Sequence, residues 1–351
     1  MTPKTITLLA GLLLLLAALA LYTRTPSTPP TVDGLAPGDL VFPATDWNQL
    51  QSLTLTSSGI DVTLSRSTGT WLNQSLHGYP VDFPKLAAAI RDLSDLRIGQ
   101  LIRGGDTLLD ELSLLHETTQ PEKPIEILFH FAASPTPTRM IIGSARRPRE
   151  GAPLTGAGLG MGRHLRIDQG PVLLVDHMLT DWVTRPEAWI NRTLLQISPD
   201  QIQSITVHHP DTPYTLTVID GRDYHLDPLP EDQHINTLNA ARLAGTLQNF
   251  FFDTLADPDL DINDPVTTTF TLADGTLITL AIGSRLDGPA QRPLRILSIQ
   301  EPDTTPEDAP FRPVLPPPSH WQNWTFLLPL HQADSFTLPL TELLTPSPDD
   351  T

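Results

Sequence analysis

The sequence predicts an α+β protein in which an N-terminal transmembrane helix is followed by two tandem duplicated domains, each a β-meander, an amphipathic helix and a further antiparallel strand group. Three observations carry this reading: an apolar run near the start, an octet of residues that recurs, and strand and helix patterns that repeat after it in the same order. A length of 351 residues allows two buried cores. Hydrophobic residues at 39% and charged residues at 18% suit a folded chain. Cys 0 excludes thiol catalysis, cysteine-held metals and disulfides, and 36 prolines favour short strands and extended linkers. The net charge of -18, from 22 basic against 40 acidic residues, offers no general attraction to a nucleic-acid backbone. No nucleic-acid partner is expected.

From Ile6 to Tyr22 the chain is apolar except for Thr7 and Gly11, and as a helix it would span about 25 Å. Lys4 before the run and Arg24 after it place the N-terminus weakly in the cytoplasm. The expected location is therefore the bacterial inner membrane, single-pass, with the bulk of the chain in the periplasm. A cleaved signal peptide is the competing reading, since Ala18-Leu19-Ala20 fits a cleavage site. The organisation read is an anchor or uncleaved signal over 1–24 and a Pro-rich linker over 25–45. A first α+β repeat covers 46–198, a second covers 199–300, and a linker and extension over 301–351 complete the second.

The duplication starts where Asn48 to Leu55 (NQLQSLTL) is echoed by Asp200 to Val207 (DQIQSITV), every mismatch a like-for-like exchange. Alternation over Ile60 to Ser65 and the Trp71 strand complete one meander, and Tyr214 to Ile219 and Tyr224 to Leu226 complete the other. Gly59, Gly69 and Asp220-Gly221 supply the turns. Asp82 is placed to cap a helix with Leu86, Ile90 and Leu93 on one face, stopped by Gly99. Its counterpart is expected over about Glu231 to Phe252, with Leu238 in the place of Leu86 and with Leu243, Leu247 and Phe250 at the same spacing. Strands follow at Ile125 to Phe131, Arg139 to Gly143, His164 to Ile167 and Val172 to Val175. The second copy offers Val266 to Leu272, Leu277 to Gly283 and Leu294 to Ile299. A short helix is read over Asp176 to Val183, and a last amphipathic piece near Leu338 to Leu344.

The N-terminal apolar segment, the Leu50 to Leu55 strand, Gly69-Thr70-Trp71, the capped helix, Ile142-Gly143 and the Trp189 to Leu195 segment (WINRTLL) together resemble the bacterial domain-of-unknown-function family 4340 over about Asp46 to Ile299. The resemblance implies a membrane-anchored, envelope-facing accessory protein, often encoded beside components of an ABC-type transporter related to gliding-motility systems. It implies no catalytic residues. The insert Ala145 to Arg163 and the Pro-rich C-terminal extension depart from the family pattern.

No catalytic, cofactor-binding or metal-binding set emerges from the residues. The glycines at 156, 158, 160 and 162 fail both nucleotide-binding fingerprints, and a hairpin loop explains them. Asp257, Asp259, Asp261 and Asn263 imitate a calcium loop, but Ile262 and Thr268 stand where glycine and glutamate belong. His208, His209, His225 and His234 lack a metal-binding spacing. Ser144 and Ser284 lack the nucleophile elbow. The candidate partner surface is Arg146, Arg147 and Arg149, within the one basic cluster that Arg163 and Arg166 complete, together with Phe250, Phe251 and Phe252, three successive aromatics that one helix face cannot bury. Trp71, Trp189, Trp321 and Trp324 are candidates to line a groove for a glycan or a partner peptide. The expected function is binding or scaffolding beside an envelope complex such as an ABC-type permease or its auxiliary subunit. The alternatives are a periplasmic glycan- or lipid-acting enzyme or ligand-binding protein with a cleft between the repeats, and a structural spacer.

Overall fold

A computed structural model describes residues 34–146, 162–210, 212–219, 223–288, 290–302 and 313–346. In chain order the strands are β1 Leu50–Ser57, β2 Ile60–Ser67, β3 Thr70–Asn73, β4 Tyr79–Pro80, β5 Ile98–Ile102, β6 Ile125–Phe131, β7 Thr138–Ala145, β8 Arg163–Ile167, β9 Val172–Val175 and β10 Thr193–Leu195. They continue with β11 Ile202–His208, β12 Tyr214–Val218, β13 Tyr224–Asp227, β14 Gln233–Ile235, β15 Phe250–Phe251, β16 Thr254–Leu255, β17 Val266–Leu272, β18 Leu277–Ile282, β19 Gln291–Gln300, β20 Phe326–Pro329 and β21 Leu344–Pro346. The α-helices are α1 Phe83–Ser94, α2 Asp106–Glu111, α3 Thr237–Ala244 and α4 Leu330–Phe336.

The chain forms two compact units: residues 1–59 with 88–183, and residues 60–87 with 184–351. These bounds differ from the sequence repeats, because 60–87 and 184–198 cluster with the second unit. In the first unit the hydrogen-bonded order is β1-β6-β7-β8-β9-β5, antiparallel throughout. Leu53, Leu55, Ile127, Phe129, Met140, Ile142 and Leu165 are fully buried there, as period-two alternation on a half-covered sheet requires. In the second unit the order is β13-β12-β11-β17-β18-β19-β20-β16, also antiparallel. Two small pairs, β10 with β15 and β14 with β21, form separate two-stranded sheets, and β2, β3 and β4 pair antiparallel in chain order. Leu76 and Tyr79 belong to the same hydrophobic cluster as Phe250, Phe252, Phe270 and Phe326.

The two units share construction details finer than strand order. The strand pairs β1·β6 and β11·β17 each carry a register irregularity at the same repeat position, Leu50/Ser52 in one and Ile202/Ser204 in the other. Just ahead of it, the Gln49 carbonyl accepts the Ala132 N–H at 2.8 Å, and the Gln201 carbonyl accepts the Ala273 N–H at 2.9 Å. Arg163 donates from Nε to the Gly143 carbonyl at 2.8 Å, and Arg292 does the same to Gly283 at 2.8 Å. Each arginine also meets a carboxylate, Glu122 at 2.6 Å and Asp334 at 3.0 Å. In both units the far edge of the sheet is closed by a strand from the chain following the long helix, β5 in one and β16 in the other.

Several expectations are corrected. Among the described residues the protein is mostly β-sheet, with 39% strand and 18% helix, so α+β overstates its helical part. The transmembrane helix over Ile6 to Tyr22 lies outside the described residues, and among the described residues no helix is long and apolar enough to cross a membrane. A single-pass anchor is therefore not supported, and the inner-membrane, periplasmic placement that rested on it falls with it. The first helix is present: Asp82 Oδ1 accepts the Lys85 N–H at 3.2 Å, and Leu86 and Leu93 are fully buried. It ends at Ser94, and Gly99 lies inside β5. The second helix is far shorter than Glu231 to Phe252. Asn236 caps it by accepting the Asn239 N–H at 3.2 Å, it buries Ala240, Leu243 and Ala244, and it stops at Gly245. Leu238 faces solvent at 78% exposure, so it does not repeat the role of Leu86. Asp176 to Val183 forms no helix, and the amphipathic piece near the end is instead α4, Leu330–Phe336, followed by a single turn at Leu340–Glu342. The Asp220-Gly221 turn lies outside the described residues.

Candidate functional site

The two units part at the strand that follows the glycine corner, β8 in one and β19 in the other. In the first unit β8 is 5 residues long, and β9, returning through a tight turn at 168–171, pairs with it from Arg163 to Arg166. In the second unit the corresponding β19 is 10 residues long, but β20 pairs only with Gln291 to Leu294. From Ile296 to Gln300 the strand pairs with β18 alone, and its other edge has no strand partner among the described residues. An unpaired edge presents alternate backbone N–H and C=O groups in the plane of the sheet, ready to take another strand.

A groove of about 470 Å³ runs along this edge, between Arg295 to Ile299 on one side and Trp321 to Trp324 on the other. The pairing of β19 with β18 shifts register between Thr279 and Leu280, so Leu297 is the extra residue and stands 53% exposed. A bulge re-aims a side chain in this way and bends the strand locally. The opposite wall is rigid. Trp321 and Trp324 both pack on the core of the unit. Trp324 donates its indole N–H to the Ser319 carbonyl at 2.9 Å, and its ring meets Tyr79 edge-on at 5.1 Å between centroids. Tyr79 in turn donates its hydroxyl to the His320 carbonyl at 2.9 Å. Burial pushes the Tyr79 phenol pKa up and the His320 imidazole pKa down, so both groups stay neutral at pH 7. Asn323, at φ 67°, supplies the left-handed turn between the two tryptophans. At the groove's end Arg295 is tied down, donating to Thr325 Oγ1 at 2.7 Å and to the Leu260 carbonyl at 2.9 Å. None of the described residues lining the groove carries a carboxylate. The chemistry on offer is apolar and aromatic contact beside a row of main-chain donors and acceptors.

The candidates read from sequence sort differently. Of the four tryptophans, Trp71 and Trp189 are buried, and only Trp321 and Trp324 line the groove. Phe250 and Phe251 form a strand, not a helix. Phe250 and Phe252 therefore point the same way, both fully buried, at 4.9 Å from Phe336 and 4.8 Å from Phe326 between ring centroids. Only Phe251 is half-exposed, so the triplet is core with one exposed member. Arg146 is exposed at the end of β7, whereas Arg147 and Arg149, with the glycines at 156, 158 and 160, lie outside the described residues. Arg163 and Arg166 are bound to their own chain, the latter to Gly170 and Gln169. Asp257 Oδ1 accepts the Asp259 N–H, an acidic turn closed on itself. His209 Nε2 meets the Thr337 carbonyl at 3.2 Å. Among the described residues no group of three or more His, Asp or Glu side chains is arranged to hold a metal ion. Sequence patterns gave Trp321, Trp324 and the Leu294 to Ile299 strand, but not the open edge, which depends on where a distant strand stops.

No family model matches the chain, and neither a curated protein nor a solved structure does. The likeness to family 4340 therefore rests on the quoted residues alone.

Proposed function

We propose that the chain is a binding or scaffolding module, acting by recognition and not by turnover, that holds a partner protein at the groove between β19 and Trp321–Trp324. The observation that carries this reading is the stretch Ile296 to Gln300, without a strand partner on its outer edge among the described residues and set beside an aromatic wall; the first unit has no such stretch, because β8 ends at Ile167. Apolar groups with an unpaired strand edge are what a protein leaves exposed when something else is to cover them. The family resemblance suggests a component of an ABC-type transporter assembly as that partner.

The test is site-specific photo-crosslinking in cells, with a photoreactive amino acid replacing Leu297 in one strain and Leu238 in another. Both positions are exposed, at 53% and 78%, so neither substitution disturbs the core. A discrete product from position 297, absent from position 238 and reduced at least tenfold by Trp321→Ala, is the expected result. Identical products from both positions, or none from 297, refute the reading.

A further inference from the structure

We infer that the open edge of β19 takes one extended peptide segment as an added strand of the sheet, its alternate side chains apolar and seated against Trp321 and Trp324. This rests on the binding-module reading above and specifies how the partner is held. The edge from Ile296 to Gln300 is already extended and is fixed from behind by its pairing with β18, so an incoming strand meets preorganised donors and acceptors. Only another extended backbone matches their spacing, and strand addition of this kind draws affinity from the main chain and specificity from alternate side chains. Because the Trp324 indole N–H is spent on Ser319, that ring offers its face as an apolar surface.

A second copy of this chain fits less well. The free edge is about 17 Å long, and one strand's width along that length falls far short of the roughly 800 Å² per partner that a stable dimer buries. A single segment of about five residues is the occupant of matching size.

The experiment selects a phage-displayed library of random heptapeptides on the immobilised full chain, and then scans an enriched, synthesised peptide with backbone N-methylation. N-methyl groups at alternate positions should weaken binding tenfold or more while the intervening positions change it less than twofold, since only every second N–H of an added strand points at β19. Leu297→Lys should weaken binding at least tenfold with no change in thermal midpoint, and Trp321→Ala should weaken it at least tenfold at a temperature where the variant is still folded, its thermal midpoint falling because the ring packs on the core. Tolerance of methylation at every position, with Trp321→Ala still abolishing binding, overturns strand addition while leaving the binding-module reading standing. Failure to enrich any peptide that depends on Leu297 and Trp321 also overturns strand addition; the binding-module reading falls only if crosslinking from position 297 fails as well. A concentration-dependent dimer in sedimentation that Leu297→Lys dissociates overturns the choice of occupant in favour of a second copy.

Discussion

Replacing Gly143 by alanine should destabilise the first unit more than Gly283→Ala destabilises the second, although the two glycines hold equivalent places at the ends of β7 and β18. Neither has a positive φ, so any cost arises from space and not from backbone conformation. A Cβ on Gly143 would sit 2.3 Å from the Leu112 carbonyl oxygen and 2.8 Å from Leu114 Cδ2. The Leu112 carbonyl cannot withdraw cheaply, because it accepts the Ser144 N–H at 2.8 Å. The strand is held in turn by Arg163 Nε on the Gly143 carbonyl. Overpacking of this kind costs about 1–3 kcal/mol, and loss of the Ser144 hydrogen bond adds about 1 kcal/mol. The expected penalty for Gly143→Ala is therefore about 2–4 kcal/mol. At Gly283 the Cβ would meet side-chain atoms, Ile262 Cγ2 at 2.7 Å and Pro293 Cγ at 2.9 Å. Ile262 is half-exposed and can rotate aside, so about 1 kcal/mol is expected there. Urea unfolding followed by tryptophan fluorescence, with the slope m checked for constancy, reads both values. A neutral Gly143→Ala, or the reverse order of the two penalties, would show that backbone crowding at this corner is not what requires glycine.

Two further predictions test packing and charge. Leu86→Ala should cost about 2–5 kcal/mol because the side chain is fully buried, whereas Leu238→Ala should stay within about 0.5 kcal/mol; equal effects in urea unfolding would show that the two helices use their leucines alike. Arg139 donates to both carboxylate oxygens of Glu126, at 2.7 Å each, and holds the Glu126 pKa below its ordinary value. That contribution, about 1 kcal/mol for a partly exposed bidentate pair, is present in full above the unfolded pKa of about 4.3 and is lost as pH falls through the lower folded value. Glu126→Gln should accordingly lower stability near neutral pH, with the gap from the parent closing only at acid pH; a gap that widens on acidification contradicts the assigned sign.

Strands were legible wherever one face is buried and the other wet. Val266, Phe270 and Leu272 lie on the buried face of β17, and the one polar residue on that face, Thr268, donates its hydroxyl to the Phe336 carbonyl at 2.8 Å. The second helix was overextended because two periodicities overlap. Leu243, Leu247 and Phe250 sit at helical spacing, yet Gly245 ends the helix, and Phe250 and Phe252 then alternate as a strand does. Asn236, a better N-cap than Glu231, marked the true start. The bounds of the compact units are not legible in the sequence, because which unit a meander packs with depends on contacts far along the chain: Leu76 and Tyr79 cluster with Ile190 and residues beyond it. The groove is hidden for a related reason. Trp321 and Trp324 are visible in the sequence, but the exposure of β19 is set by where β20 begins.

The correspondences between the two units separate what folding requires from what it does not. The register irregularity at Leu50/Ser52 and Ile202/Ser204, the glycine corners and the arginines that lock them recur in both units, and each has a steric or hydrogen-bonding reason to stay. At β8 and β19 the units instead differ in strand length, while the next strand covers nearly matching stretches, Arg163 to Arg166 and Gln291 to Leu294. In the first unit β8 ends at Ile167 and β9, after the short turn at 168–171, pairs with Arg163 to Arg166, so no counterpart of Ile296 to Gln300 exists there. In the second the strand is 10 residues long, and Trp321 and Trp324 stand beside the segment that β20 does not reach. Leaving a strand edge open invites aggregation and contributes nothing to folding. The uncovered length lies in the residues by which β19 outruns its neighbour, and in the proposed reading that length is taken by a strand arriving from another protein.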